Sequence, residues 1–488
     1  MESIAKQPPV KNFINGEFQR NGQSSMDVIS PLDGSVISTL PMSGMSELET
    51  AVSAAEAAFV GWSGMTLKER VQIFFKYRYL LEEHLDELTQ IVSLENGKTY
   101  GEAKAEVMKS IELCEFAVSM PQIVTNEIQE VSRGVECRIE RKPLGVVACI
   151  SPFNFPNMVP HWTVPNALVL GNCVILKPSE MVPLSAVRMA ELLKEAGLPD
   201  GVFNVVNGGK EIVEAICDHP RIEAVSFVGS THVAKIVYKR ASSNLKRCVA
   251  LGGAKNHLLV LPDAHPQMTA DNVVASMSGC AGQRCMAAAV MVGVDAVQHI
   301  IDKMVEEGKK IVPGENLGSV ISEAAKERIE GYITEAEAQG ATVLLDGRNA
   351  TVPGKEGGFY VGATIIDNVT IDMKIAKEEV FGPVISIIRA KDLDEAIKIE
   401  NASNYGNAAA VFTQSGGLAK KVIEKASAGM VGVNIGVPVP REPFSFGGWN
   451  ESKFGVGDIT GRSSIEFWTQ NKKTTTKWNP EDKTNWMS

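Results

Sequence analysis

The sequence predicts an α/β protein built around a parallel sheet, and two patterns carry that prediction. Between residues 145 and 250, short apolar runs alternate with stretches whose apolar residues recur at helical spacing. The apolar runs are cut short by Gly, Pro, Ser or Asn, which end a strand and open a turn. Strand, turn and helix repeated in that order give right-handed βαβ units, because the helix must cross back over the sheet before the next strand can run parallel. The 488 residues suffice for two or three domains.

The first strand is predicted over residues 145–150, ending at Ser151-Pro152-Phe153-Asn154-Phe155-Pro156. The second covers residues 173–176 and runs into Lys177-Pro178-Ser179-Glu180. A helix follows, with Ala186, Met189, Ala190 and Leu193 at i, i+3, i+4 and i+7, stopped by Gly197 and Pro199. A third strand, residues 202–206, leads through Asn207-Gly208-Gly209 into a helix reaching about Cys217. The fourth, residues 222–228, precedes Gly229-Ser230 and a helix with Val233, Ile236 and Val237 on one face. Ligands of such sheets bind outside the carboxyl ends of the strands. Residues 151–154, 177–180, 207–209 and 229–231 are therefore the candidate contacts. No GxGxxG occurs in this unit, so a dinucleotide would have to be held without the glycine fingerprint.

A second alternation starts near Leu251, with helices predicted over 299–310 and 323–339, a strand over 342–345 and an apolar run at 384–388. Residues 132–142 and 463–477 alternate polar and apolar, as exposed ribbon strands do. Two ribbons so far apart in sequence are expected to meet, within the chain or across subunits.

Composition narrows the function. The net charge of -10 argues against wholesale nucleic-acid binding. No apolar run approaches the roughly 20 residues that a membrane helix needs. The start, MESIAKQPPVKNF, has no apolar signal core, so the cytoplasm or an organelle matrix is the expected location. None of the eight cysteines forms a CxxC, and the seven histidines are scattered, so no metal site is expected. Seven cysteines read as inert thiols.

Cys285 is different. It follows Gly282-Gln283-Arg284 after the small residues Ser276, Ser278, Gly279 and Ala281, which suggests a thiol displayed for attack on an electrophile. Three other features stand with it: Asn154 between Phe153 and Phe155 just past a strand, the Lys177-Pro178-Ser179-Glu180 string, and Glu379-Val380-Phe381-Gly382-Pro383. Taken singly each has a plain structural reading. Asn154 suits a turn, Glu180 a helix N-terminus, Glu379 a solvated acid and Phe381 a core position.

Together they resemble the aldehyde dehydrogenase superfamily, over nearly the whole chain from about Phe13. The resemblance implies a Rossmann-like cofactor domain, an α/β catalytic domain and a small β-ribbon oligomerisation element. It places the NAD-binding domain at 1–122 and 144–250, the catalytic domain at 251–448, and the bridging element at 123–143 and 462–488. It implies that the Cys285 thiolate attacks an aldehyde, that the Asn154 amide and the Cys285 N–H hold the oxyanion, and that oxidation by NAD leaves a thioester on Cys285. Lys177 and Glu180 would bind the adenosine ribose, where a carboxylate repels a 2′-phosphate. Ser230 would face pyrophosphate from a helix N-terminus. Ser151, Phe153, Met181, Gly252, Glu379 and Phe381 would complete the cofactor contacts.

The departures are informative. Hydrolytic members carry a Glu directly before Leu-Gly-Gly as the base that activates water. Here Ala250 stands before Leu251-Gly252-Gly253. The branch that shares this loss resembles methylmalonate/malonate-semialdehyde dehydrogenase, which releases its acyl group to coenzyme A. A thiol needs far less base assistance than water. Arg284 beside the nucleophile is the expected clamp for a substrate anion, since a guanidinium grips a carboxylate bidentately, and it is expected to help keep Cys285 ionised. Where that branch has a second Arg, in the helix before the bridging ribbon, this chain has Lys109, and Arg441 is an added cation near the expected substrate mouth. The competing reading is a hydrolytic enzyme for another anionic aldehyde, carboxy-, phospho- or sulfo-substituted, with Asp458 as the suspected base. A non-catalytic binding or structural role is the third. The resemblance also implies a homo-oligomer, a dimer of dimers.

Overall fold

The computed structural model describes residues 6–22 and 24–478. Parts of two expected segments, residues 1–5 and 479–488, lie outside it.

Five parallel strands form the centre of the first sheet, in the order Phe203–Val205, Cys173–Lys177, Val146–Ile150, Ala224–Val228 and Arg247–Leu251. The strands from Val146 to Leu176 are buried on both faces, which is why they read as continuous apolar runs rather than alternating ones. From Val146–Ile150 the chain first builds outward to Phe203–Val205, then returns to lay Ala224–Val228 on the other side. That reversal is a topological switch point, and it opens a crevice above the carboxyl ends of the two central strands. Antiparallel strands finish both edges: Asn12–Ile14 against Phe203–Val205, and Lys453–Phe454 against Arg247–Leu251.

The second sheet has the order Thr342–Leu345, Thr364–Asp367, Val384–Ala390, Ala288–Val294, Asn256–Val260, Ala408–Phe412 and Met430–Val433, parallel except for its first strand. The helices predicted in this region are Gln298–Gly308 and Glu323–Ala338. The helices predicted between the strands of the first sheet are Leu184–Ala196, Lys210–Asp218 and Thr231–Ser243. Each sheet has apolar clusters of its own.

Four helices precede the strand Val146–Ile150: Met45–Gly64, Leu67–Glu83 and Leu85–Asn96, absent from the sequence reading, and Tyr100–Ile123, expected around Lys109 from the resemblance alone and not from periodicity. Tyr100–Ile123 shows why. Its buried residues include Glu106, Ser110 and Cys114 among Ala103 and Val107, so no clean apolar stripe marks it.

Both ribbon predictions need correction. Residues 132–142 are not one strand: Glu127–Ser132 turns at Arg133-Gly134 into Val135–Pro143, with Gly134 at φ 73°. Residues 463–477 begin as the helix Ser463–Trp468, and only Thr469–Lys477 is extended. The apolar side chains of Ile465, Phe467 and Trp468 drive that helix into the core instead of alternating along a ribbon. The two ribbons do meet, within one chain, from Thr469 opposite Pro143 to Lys477 opposite Val135. Among the described residues no helix is long and apolar enough to cross a membrane.

Candidate active site

The crevice at the switch point is a cavity of about 750 Å³. Ser151, Phe153 and Asn154 enter it from the end of Val146–Ile150, and Lys177, Glu180 and Met181 from the end of Cys173–Lys177. Gly229 and Ser230 follow Ala224–Val228, and Gly252 follows Arg247–Leu251. Cys285, Glu379 and Phe381 reach the same space from the other side. These twelve residues, all singled out from sequence, thus share one cavity.

Its walls can hold a dinucleotide. The volume falls within the few hundred to about 1,000 Å³ typical of ligand pockets. Ser230 is the N-cap of Thr231–Ser243 but makes no side-chain cap bond, so the first N–H groups of that helix remain open to an anion. Lys177 Nζ donates to Glu180 Oε2 at 2.8 Å. Burial raises the Glu180 carboxyl, but the Lys177 charge and hydrogen bond outweigh it, and Glu180 ends below its ordinary range. A fixed carboxylate is therefore present where a ribose would be gripped. Phe153 and Phe381 meet edge to face, 5.8 Å between ring centres. Phe381 sits at φ 53°, a costly conformation for an aromatic residue that points to a demand for its placement.

The Cys285 loop is tightly built. Gly282 has φ +69°, and a Cβ there would stand 2.0 Å from the Gly382 carbonyl oxygen, so glycine is required. Gln283 Oε1 accepts from Ile321 N–H at 3.0 Å, while its carbonyl accepts from Asn154 Nδ2 at 3.0 Å. Asn154 has two amide hydrogens, so one donor is committed to the Cys285 loop and the second remains for a ligand in the cavity.

Cys285 is half-buried, and burial is the main cause pushing its thiol up to about 12; the Glu379 carboxylate adds to the rise. Arg284 and the N–H groups of Cys285 and Met286 pull the other way but do not prevail. Arg284 thus acts in the expected direction, favouring the thiolate, but burial outweighs one guanidinium. Glu379 is itself raised, to about 7, by burial; the Ala254 N–H at 2.9 Å and the charges of Lys255 and Arg328 oppose this.

Arg284, Lys109 and Arg441 do not line this cavity. Arg284 Nη2 lies 3.9 Å from Glu102 Oε1, and its buried Nε has no hydrogen-bond partner. Lys109 Nζ is held by Glu442 at 2.7 Å and Glu112 at 3.1 Å. Arg441, exposed, adjoins that contact in sequence. Asp458 is tied to Lys453 in a short ion pair and also stands outside the cavity. Ala250 is fully buried in its strand. Among the described residues no group of three or more His, Cys, Asp or Glu could hold a metal ion.

Sequence reasoning missed the support of Asn154. Lys98 donates to the Asn154 carbonyl in a short bond, lies 2.9 Å from Glu106 Oε2, and stands 4.2 Å over the Phe155 ring. Glu106 Oε1 accepts from the N–H groups of Asn157 at 2.8 Å and Met158 at 3.1 Å. Asn96 Nδ2 donates to the Phe153 carbonyl at 2.8 Å. Lys98 lies in a segment for which no element was predicted, and Glu106 was read only as part of the helix that carries Lys109, so no signal tied either to Asn154. The side chains of this ion pair are 1% and 0% exposed, so Lys98→Met should strand a buried carboxylate and cost about 3–5 kcal/mol. Urea unfolding monitored by tryptophan fluorescence measures it; a loss below about 1 kcal/mol would contradict the burial argument.

Comparison with known proteins points to one family. The model of the aldehyde dehydrogenase family matches residues 18–474. "Malonate-semialdehyde dehydrogenase 2" of Bacillus cereus is 44% identical over 478 residues, covering 96% of this chain and 98% of that protein. A putative methylmalonate-semialdehyde dehydrogenase of Sinorhizobium meliloti 1021, crystallised with NAD, superposes with a TM-score of 0.96 at 38% identity, covering 99% and 100% of the two chains. A methylmalonate-semialdehyde dehydrogenase of Oceanimonas doudoroffii gives 0.95 at 41%, covering 97% and 99%. With its cavity at the switch point and a match over almost its full length, the chain belongs to the aldehyde dehydrogenase family.

Proposed function

We propose that the protein oxidises a small anionic aldehyde of the malonate- or methylmalonate-semialdehyde type with NAD and passes the acyl group to coenzyme A. One observation carries the acyl-transfer part: Ala250, which has no proton-accepting group, stands where hydrolytic relatives have their base. The names of the relatives support the substrate class.

NAD, when bound, removes the hydride equivalent from the aldehyde carbon. Lys177 and Glu180 hold its adenosine ribose, the open N–H groups at Ser230 its pyrophosphate, and Ser151, Phe153, Met181, Gly252, Glu379 and Phe381 complete its cleft. The Glu180 carboxylate disfavours a 2′-phosphate. Cys285 Sγ loses its proton and bonds to the carbonyl carbon. The oxygen takes the negative charge and is met by the free Asn154 amide hydrogen and the Cys285 N–H. After oxidation the acyl group stays on Cys285 as a thioester. The coenzyme A thiol then gives up its proton and bonds through sulfur to the acyl carbon, the Cys285 C–S bond breaks, and the Cys285 sulfur leaves as a thiolate that takes up a proton. Arg284, with its unpartnered Nε, positions the substrate anion. Lys109 and Arg441 lend positive charge nearby, although Glu442 and Glu112 offset that of Lys109. The subunits assemble as a dimer of dimers through the ribbon.

Hydrolysis is the second reading, and the ion pair that occupies Asp458 weakens it. NADH formation from malonate semialdehyde, followed with and without coenzyme A, separates the two. Turnover should require the thiol, with at most a single equivalent of NADH per active site in its absence. Sustained turnover without any thiol would refute acyl transfer to coenzyme A.

A further inference from the structure

The carbonyl oxygen of Cys285 receives two side-chain amides. Asn256 Nδ2 donates to it at 2.8 Å and Asn407 Nδ2 also at 2.8 Å. The two come from separate parts of the second sheet. Asn256 opens the strand Asn256–Val260, and Asn407 directly precedes Ala408–Phe412. Both are buried, at 3% and 6% exposure. Asn256 is itself locked: Nδ2 also donates to the Ala287 carbonyl at 2.9 Å, and Oδ1 accepts from Ala408 N–H at 3.1 Å. Asn407 Nδ2 also lies 3.1 Å from Met286 Sδ.

A carbonyl oxygen has two lone pairs, and here both are used. The consequence lies on the other side of the peptide. The Cys285 carbonyl and the Met286 N–H belong to one planar trans unit, so they point in opposite directions. Fixing the oxygen fixes the N–H. That N–H and the one from Cys285 both favour the Cys285 thiolate over the thiol.

We propose that Asn256 and Asn407 are positioning residues that clamp the Cys285–Met286 peptide so that its N–H is aimed at the nucleophilic sulfur. Without the clamp the peptide can rotate, and the sulfur loses a donor that stabilises its thiolate. Glu379, from a separate segment, opposes the ionisation of the same sulfur, and Arg284, next to Cys285 in its loop, favours it; neither is changed by the substitutions below. The inference rests on Cys285 being the nucleophile.

The test is the rate at which iodoacetamide alkylates Cys285 at pH 8, with the modified peptide identified by mass spectrometry. Asn407→Leu and Asn407→Asp keep the side-chain volume and remove the donor. Both should lower the rate about tenfold, because the thiolate fraction falls with the loss of one donor. Folding is checked by NAD binding, and Asn407→Ser, too short to reach the carbonyl, replaces a variant that does not fold. KM for NAD should stay within about twofold while kcat falls, a split that general loosening of the fold would not give. A rate equal to or above that of the unsubstituted protein, in a variant that still binds NAD, overturns the clamp. Alkylation reads the thiol directly, so that failure differs from failure of the nucleophile itself, which would appear as NADH formation surviving in Cys285→Ala.

Discussion

Cys285→Ala is expected to lower NADH formation by on the order of 10⁴-fold or more, with NAD still bound. The expectation follows from the bond the sulfur makes. Without it no acyl intermediate can form, and the remaining groups bind and polarise an aldehyde but cannot hold the carbon for oxidation. Ser151, Lys177, Glu180 and Ser230, to which NAD binding is assigned in the proposal, line the cavity from the first sheet and are unchanged, so its affinity should be intact. Stopped-flow absorbance at 340 nm measures the loss and fluorescence quenching the retained binding. In the unsubstituted protein the pH dependence has a definite sign. Burial raises the thiol to about 12, so the thiolate fraction is small at neutrality and grows with pH. Alkylation of the free enzyme should therefore rise about tenfold per unit from pH 7 to 9. A plateau below pH 8 would mean that the sulfur is far more ionised than its surroundings suggest.

Asn154→Ala should reduce kcat by about 10²–10³-fold, the usual cost of losing one oxyanion donor. Two effects add. The free amide hydrogen that meets the developing charge is gone, and so is the bond from Nδ2 to the Gln283 carbonyl that ties the loop after Val146–Ile150 to the Cys285 loop. The fall should appear in kcat and kcat/KM together, because the oxyanion exists only beyond the ground state. Steady-state kinetics at saturating coenzyme A check it. A variant that changes KM for the aldehyde alone would place Asn154 in substrate binding instead.

Much of the first sheet was legible because its strands are buried on both faces. Such strands must be apolar throughout, and the turns at their ends must carry Gly, Pro or Asn, so the pattern survives in one dimension. The four N-terminal helices were illegible for the opposite reason. They bury polar residues such as Glu95 and Glu106, which bond to backbone N–H groups across the fold, and this breaks the periodic signal. The C-terminal ribbon misled because Ser463–Trp468 is short and its apolar residues, closely spaced, fit either period.

What the sequence alone determined is the chemistry of the contacts that sit at strand ends. Ser151, Asn154, Lys177, Glu180 and Ser230 each follow an apolar run, and in a parallel sheet that position has one meaning. The motif around Cys285 and the alanine at 250 fixed the type of reaction to expect. The tertiary structure decided three things that no local pattern encodes. It raised Cys285 rather than lowering it, because desolvation depends on everything packed around the sulfur. It tied up Lys109 with Glu442, 333 residues away in sequence. It brought Asn256, at the start of one strand of the second sheet, and Asn407, just before another, onto one carbonyl oxygen. Each is a consequence of contacts between distant segments, and those exist only after the sheets have formed and packed.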